Sequence, residues 1–382
     1  MIKILFTGGG TGGHFYPIIA VADEVNKLVD EKKIAQVRLY YFSDAPYDEA
    51  SLFEHHISFQ RITAGKLRLY FSFQNIIDMF KTVIGIGEAF VAVFRLYPDV
   101  VFAKGAYASF PTLMAARLLG IPVIIHESDS APGRVTSWAG KFARYIAVSY
   151  KESFQFFPAA RTAHIGQPIR PEIEHPATGG IEYLGLESGV PTIFILGGSL
   201  GAQIINEKVL ASLAELLPTY QIIHQTGKGN HEEVVQRAEH LLRESPYKSR
   251  YHPFPFLNPL AMRMSAGVAS IVITRAGSAL FEIASWGIPA IVIPITTSNN
   301  DHQRKNAFAY ARAGAGVVIE EKNLTPHILI SEINRIVSDL ILHDEMSARA
   351  HDFFVPHAAR AIAEKILDIG LSHERENEKS SS

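Results

Sequence analysis

Short β-branched runs alternate with segments of helical period from one end of this chain to the other, and no other feature limits the fold as strongly. Ile2–Thr7 reads as a buried strand. A glycine loop follows, and Pro17 is expected to open a helix whose apolar positions Ile18, Val21, Ala22, Val25 and Leu28 keep the i, i+3, i+4, i+7 spacing. Val37–Phe42, Val100–Ala103, Val123–His126 and Tyr145–Ser149 are further strands. Among the helices between them is Phe110–Leu119, started by Ser109 and Pro111 and stopped by Gly120. The pattern halts over Ile165–Pro176, where Pro168, Pro171 and Pro176 crowd together ahead of Gly179-Gly180. It restarts with a strand at Ile193–Leu196, a second glycine loop and a helix from Ile204 to Leu217. Strands at Gln221–His224, Ile271–Thr274, Ala290–Ile293 and Gly316–Ile319 complete it. Such alternation builds parallel sheets covered on both faces. The expected fold class is therefore α/β, with two Rossmann-like domains facing across a cleft. The expected parts are a domain over 1–165, a hinge over 166–180, a second domain over 181–356, a C-terminal helix over 357–372 and a polar, disordered tail over 373–382.

Composition narrows the function classes. The chain has 382 residues, enough for about two or three domains, and a net charge of −2, which offers no basic field for nucleic acid. It has no cysteine, which excludes disulfides, thiol nucleophiles and thiolate metal sites and fits a cytosolic address. Met1 to Thr7 runs straight into a strand, without the apolar region of a signal peptide. The longest apolar stretch, Val83 to Phe94, is interrupted by Glu88 and two glycines and falls short of a bilayer span.

Chemistry gathers at the strand ends. Gly8, Gly10 and Gly13 satisfy G-x-G-x-x-G between a strand and a helix, where the backbone turns sharply and a helix N-terminus faces an approaching diphosphate. Taken alone, this loop fits an NAD domain, with Asp44 on the ribose. Gly197-Gly198-Ser199-Leu200-Gly201 occupies the equivalent place in the second half, and two such loops suit a diphosphate donor with a diphosphate acceptor better than a single dinucleotide. Arg275-Ala276-Gly277-Ser278 leads into a helix carrying Glu282, a carboxylate suited to both ribose hydroxyls. Asn299-Asn300-Asp301-His302-Gln303 with Asn306 suits the hydroxyls of a sugar. Each has a plainer structural reading: a glycine turn that packs helix on strand, a solvated carboxylate at Glu282, an N-cap at Asp301.

Five motifs in this order carry a resemblance: Gly9-Gly10-Thr11-Gly12-Gly13-His14, His126-Glu127, Gly197-Gly198-Ser199, Arg275-Ala276-Gly277 with Glu282, and Asp301-x-Gln303-x-x-Asn306. Over roughly Ile2 to Leu371 the chain resembles the MurG family of glycosyltransferases, family 28, which moves N-acetylglucosamine from UDP-GlcNAc onto lipid-linked N-acetylmuramic acid in peptidoglycan synthesis. The resemblance implies the glycosyltransferase-B fold, with the acceptor on the first domain, UDP-GlcNAc on the second, and a final helix returning to the first. By motif position Ser199 and the backbone of Ser278, Ala279 and Leu280 resemble diphosphate ligands. Glu282 resembles the ribose ligand, Leu257 the backbone contact to uracil, Gln303 a GlcNAc contact and Arg170 a nucleotide-contacting arginine. Thr11, Gly12 and Gly13 resemble the loop that closes on donor and acceptor. The family usually has His-Glu-Gln-Asn where this chain has His126-Glu127-Ser128-Asp129, so a GlcNAc-contacting asparagine is replaced by Asp129, and Leu200 stands where glutamine is usual.

These readings imply an inverting transfer. His14, at the positive end of the first helix, is the first choice of general base, with His126 and Glu127 in reserve; a histidine that only orients the loop is the alternative. No Asp-x-Asp pair offers a metal handle, so no cofactor or metal is expected. The glycine turns, aided by Arg275, would neutralise the leaving diphosphate. A lipid acceptor predicts peripheral contact with an anionic membrane at its cytoplasmic face. Leu69, Tyr70 and Phe71, followed by Ile76 and Phe80 beside Lys66, Arg68 and Lys81, suit that contact, although the same pattern also describes a core helix. The competing functions are a transferase or epimerase acting on the same donor with another partner, a protein that binds a nucleotide sugar without turnover, and an NAD-dependent oxidoreductase.

Overall fold

A computed structural model describes every residue except 10, 35, 67–72, 199–201, 297–300 and 382, together with the side chains of residue 73 and residues 373–382. Gly10, Arg68, Leu69, Tyr70, Phe71, Ser199, Leu200, Gly201, Asn299 and Asn300, singled out above, thus lie outside the described residues. The chain divides into two compact units, Met1–Arg170 with Val355–Ser382, and Pro171–Phe354.

The first unit runs β1 (Ile2–Thr7), α1 (Gly12–Glu31), β2 (Val37–Ser43), α2 (Glu49–Glu54), β3 (Ile57–Arg61), α3 (Phe73–Leu96), β4 (Val100–Ala103), α4 (Phe110–Leu118), β5 (Val123–Glu127), α5 (Arg134–Ala139), β6 (Tyr145–Val148) and β7 (Thr162–His164). Its seven strands pair in parallel in the order β3-β2-β1-β4-β5-β6-β7. Ile4 and Phe6 of β1 join Val100 and Phe102 of β4 in one core, whereas Leu5 joins Val101 and Ala103 in another on the opposite face. Helices cover both faces, so neighbouring strand residues are buried alternately up and down, and the strands read as continuous apolar runs.

The second unit begins with α6 (Pro171–Glu174) and α7 (Gly180–Leu184), then alternates β8 (Thr192–Leu196), α8 (Gln203–Leu216), β9 (Gln221–Gln225), α9 (His231–Leu241), β10 (Tyr251–Phe254), α10 (Pro259–Ala266), β11 (Ala269–Thr274), α11 (Ala279–Trp286), β12 (Ala290–Val292), α12 (His302–Arg312) and β13 (Gly316–Val318) before α13 (Pro326–Ser338) and α14 (Leu340–Phe353). Its six strands are parallel in the order β10-β9-β8-β11-β12-β13, again between two cores. Helix starts follow the expected chemistry: Asn258 accepts from the Ala261 N–H and Thr325 from that of Ile328, each ahead of a proline at the first helical position. The last helix, α15 (Ala358–Ser381), belongs to the first unit. It buries Ile362, Ile366 and Leu367 in the core that holds α1, and Arg360 grips the Glu31 carboxylate through both amino groups at 3.1 and 2.6 Å.

Three local expectations change. α1 starts at Gly12, so Pro17 lies inside the helix, where its ring removes the N–H that would have bonded to the Gly13 carbonyl. The expected disordered tail continues α15 to Ser381, consistent with the helix propensity of its Glu, Arg and Lys residues. The strands β3, β7 and β10 went unpredicted because they are short strands at sheet edges, and half-exposed positions there do not need an apolar run.

Candidate active site

In each sheet the strand order reverses once, between β1 and β4 in the first unit and between β8 and β11 in the second. Open α/β sheets bind ligands in the crevice outside the strand C-termini at that reversal. In the first unit the glycine loop leaves β1 there. The Gly8 carbonyl is tied down by the hydroxyls of Tyr41 (3.1 Å) and Ser43 (2.6 Å). Asp44 accepts from Tyr107 Oη at 2.5 Å, so the residue that an NAD reading would give to ribose is committed within the protein. Thr11 precedes α1 in extended conformation, but its hydroxyl lies 3.0 Å from Nδ1 of His14 instead of capping a backbone N–H. Gly12 and Gly13 form the first turn of the helix. Arg170 stacks its guanidinium 3.9 Å from the centre of the Tyr16 ring, one turn into α1.

At the end of β4 the chain passes through Lys104, then Gly105 and Ala106, both with left-handed φ (81° and 65°), to Tyr107. With ψ at 163°, Ala106 occupies a region that is essentially glycine's alone, at a cost of about 1–3 kcal/mol, strain of the kind that gathers at functional sites. Lys104 is buried, and its Nζ contacts Nδ1 of His126 (2.5 Å), Oγ of Ser128 and Oε1 of Gln167 (3.2 Å). Nε2 of His126 faces the Gly166 carbonyl at 2.9 Å, which places the ring proton there and leaves Nδ1 to accept from the lysine. Burial, reinforced by the Lys104 charge, holds the His126 pKa far below the usual histidine range. With both nitrogens occupied and no exposed surface, His126 has no site to take a proton from a substrate, which corrects its place among the bases. Glu127 is likewise buried, and its two oxygens accept the N–H groups of Asp129 (2.9 Å) and Gly133 (3.1 Å). Burial pushes its carboxyl above the usual range, with the Asp129 charge adding to the shift. Asp129 in turn accepts from Ser153 through its carbonyl.

The second unit presents the α11 N-terminus at the end of β11. Leu280's own N–H bonds back to the Gly277 carbonyl at 3.2 Å, so of the three expected donors it is Ser278 and Ala279 that can offer N–H groups. Glu282 sits in the first turn of α11, half-buried. Two expected ligands have other work. Asn306 is buried and donates to the Ala276 carbonyl at 3.2 Å, so it shapes the glycine turn from beneath. Arg275 pairs with Glu321 at 2.7 Å and donates to the Ile293 carbonyl at 3.0 Å, which neutralises the charge expected for a leaving group. Glu321 also accepts the N–H (3.1 Å) and hydroxyl (2.7 Å) of Thr296, so it ties together the ends of β11, β12 and β13. Gln303 accepts the Ile295 N–H at 3.1 Å. Asp301 occupies the start of α12 with a left-handed φ of 57° and makes no capping bond. Leu257 is buried and its N–H donates to Gln225 Oε1 at 3.1 Å, leaving its carbonyl as the group able to accept from a base. Sequence reasoning missed Lys104, Tyr107, Gln167, Gln225 and Glu321. For Lys104 and Tyr107 a signal existed, since both immediately follow a strand.

Two doubly wound parallel sheets, each with glycines and a helix start at its point of reversal, define the glycosyltransferase-B class of fold. The crystal structure of Acinetobacter baumannii MurG shares it, with a TM-score of 0.74 over 96% of this chain and 100% of that one at 24% identity. UDP-GlcNAc 2-epimerase from Neisseria meningitidis, solved with UDP-GlcNAc bound, matches with a TM-score of 0.66 over 96% of this chain and 100% of that one at 15% identity. Within that class the chain belongs to glycosyltransferase family 28. Its residues 4–148 match the N-terminal domain of the family and residues 192–363 the C-terminal domain. A Treponema denticola relative is 34% identical over 380 residues, 94% of this chain and 93% of that protein. One from Borrelia turicatae is 32% identical over 368 residues, 96% of each. Both carry the name UDP-N-acetylglucosamine--N-acetylmuramyl-(pentapeptide) pyrophosphoryl-undecaprenol N-acetylglucosamine transferase.

Proposed function

We propose that this glycosyltransferase moves N-acetylglucosamine from UDP-GlcNAc to the 4-hydroxyl of lipid-linked N-acetylmuramyl-pentapeptide, with inversion at the anomeric carbon. The observation that carries the donor half is the start of α11 at the β8–β11 reversal, with Glu282 one turn inside it. Backbone N–H groups at Ser278 and Ala279 and the helix dipole favour a diphosphate there, and a carboxylate one turn away suits the two hydroxyls of ribose. The Leu257 carbonyl accepts the uracil N3–H, and Gln303, on the same unit, contacts the sugar.

On the acceptor side, His14 takes the hydroxyl proton through Nε2. That role requires the ring proton on Nδ1, where the Thr11 hydroxyl 3.0 Å away accepts it. The acceptor oxygen then forms its bond to the anomeric carbon as the bond to the β-phosphate breaks, and UDP leaves with the electron pair. Glu127 is the second candidate for the base.

The acceptor's lipid brings the chain to an anionic membrane as a peripheral protein on the cytoplasmic face. Along α3, Ile76 is 50% exposed and Phe80 63%, and Ile77, Met79, Val83, Ile84 and Phe94 are exposed with them. So broad an apolar strip, flanked by Lys66, Lys81 and Arg95, favours a bilayer surface over water. Among the described residues no helix is long and apolar enough to cross a membrane.

The test is UDP release from UDP-GlcNAc with a short-chain lipid-linked N-acetylmuramyl-pentapeptide, followed by product analysis. Release and a disaccharide product are expected. Release only with a different lipid acceptor would overturn the acceptor assignment, and donor binding without any release would favour a non-catalytic binder.

A further inference from the structure

Lys104 takes no part in the chemistry above, yet it lies beneath the first glycine loop. Its Cβ is 3.3 Å from the place a Cβ on Gly8 would occupy, and the residue is 2% exposed. An ammonium has three N–H bonds, and the three groups around this one, His126 Nδ1, Ser128 Oγ and Gln167 Oε1, are neutral acceptors. The histidine cannot donate from Nδ1, because its proton is on Nε2 against the Gly166 carbonyl. The Gln167 oxygen is shared with the Ser149 hydroxyl at 3.0 Å. Protonated, the amine donates a charge-assisted bond to each of the three partners; deprotonated, it keeps two N–H groups and meets Ser128 only by accepting the proton of its hydroxyl, a weaker contact without charge. Ser128 opens the segment from β5 to α5, whose other anchor is the Glu127 carboxylate on the N–H groups of Asp129 and Gly133.

We propose that Lys104 is a positioning residue for the acceptor side of the transfer: its ammonium holds Ser128, and through it the 128–133 segment, in the shape that receives the acceptor, and loss of its proton loosens that segment. The inference rests on the function proposed above. It also accounts for Ser128-Asp129 in place of the Gln-Asn usual in the family, since a short hydroxyl reaches the ammonium and the Asp129 carboxylate lies within its field.

The charged groups that act on Lys104 come from the end of β5 and the loop beyond it, namely Glu127 and Asp129, with His126 neutral between them. β6 and the segment before Arg170 contribute the uncharged Ser149 and Gln167. Burial pushes the ammonium well below the ordinary lysine range, and the two carboxylates pull it partly back. Its proton is therefore lost at a lower pH than that of an exposed lysine.

The experiment measures kcat/KM for the lipid-linked acceptor at saturating UDP-GlcNAc from roughly pH 6 to 10, the span below and around the ordinary lysine pKa. Wild type, Lys104→Met and Ser128→Ala are compared, with UDP binding and thermal melting recorded for each. The wild-type value should fall on the alkaline side. Lys104→Met should be lower by about ten- to a hundred-fold near neutrality and lack the alkaline fall, and Ser128→Ala, which removes the group the ammonium holds, should be lower and lose most of that fall. Both should retain UDP binding. An unchanged alkaline fall in Lys104→Met, or equal loss of UDP binding and acceptor use, overturns the proposal. If Lys104→Met does not fold, Ser128→Ala carries the test, and a wild-type kcat/KM in that variant overturns it. Wild type that binds UDP yet transfers to no acceptor defeats the functional reading itself, whereas active wild type with an indifferent Lys104→Met defeats this inference alone.

Discussion

The Thr11–His14 contact is the smallest unit on which the proposed chemistry depends. Removing the imidazole in His14→Ala should lower turnover by about 10²–10⁴-fold while UDP binding persists, because general base catalysis contributes on that scale. Thr11→Val keeps the ring but removes the acceptor for Nδ1–H, so a smaller fall in kcat with little change in donor KM is expected. Steady-state kinetics with both substrates varied checks the pair. The placement of His14 was partly legible in the sequence, since it closes a glycine loop ahead of a helix. The roles of His126, Arg275 and Asn306 were not. Position at a strand end says that a side chain reaches the crevice rim, but its partner is set by residues far along the chain, as with Arg275 and Glu321. Glu282→Gln should weaken UDP-GlcNAc binding by about ten- to a hundred-fold, the loss expected when hydrogen bonds to a charged group disappear; calorimetric titration with UDP would show it.

Among the elements, α3 and β9 make opposite demands on their surroundings. α3 turns its apolar side chains outward, and Gly85 keeps its inner side flat enough for the Thr63 carbonyl to rest on it, where a Cβ would overlap that oxygen. Because Ile77 and Phe80 are exposed, the double variant Ile77→Ser/Phe80→Ser should fold normally but sediment less with anionic liposomes; unchanged sedimentation would remove α3 from membrane binding. β9 instead buries His224 between the Tyr251 hydroxyl (2.8 Å) and Asn206 Oδ1 (3.0 Å). Burial, with a small contribution from His231, lowers its pKa to about 3 from 6.5. The folded pKa lies below the unfolded one, so this histidine stabilises the fold fully above the unfolded value. That contribution is lost as pH falls from about 6.5 toward 3. Thermal melts across that window should drop steeply for wild type and less steeply for His224→Gln.

At the scale of the whole chain, the donor and acceptor halves should be separable. Substitutions at Glu282 should alter UDP binding and leave liposome sedimentation intact, and substitutions on α3 should do the reverse. Transfer activity should survive chelation of divalent cations, since the diphosphate charge is assigned to the α11 helix start and its backbone donors; an assay with and without EDTA decides. The α/β alternation and the glycine loops were determined by the sequence itself, because strand, turn and helix signals are written within windows of a few residues and a sheet buried on both faces needs unbroken apolar runs. Tertiary structure alone decided which polar strand ends meet. Lys104 finds His126 22 residues away and Gln167 63 away, and the strand order that places β1 beside β4 is set by packing that no local window contains.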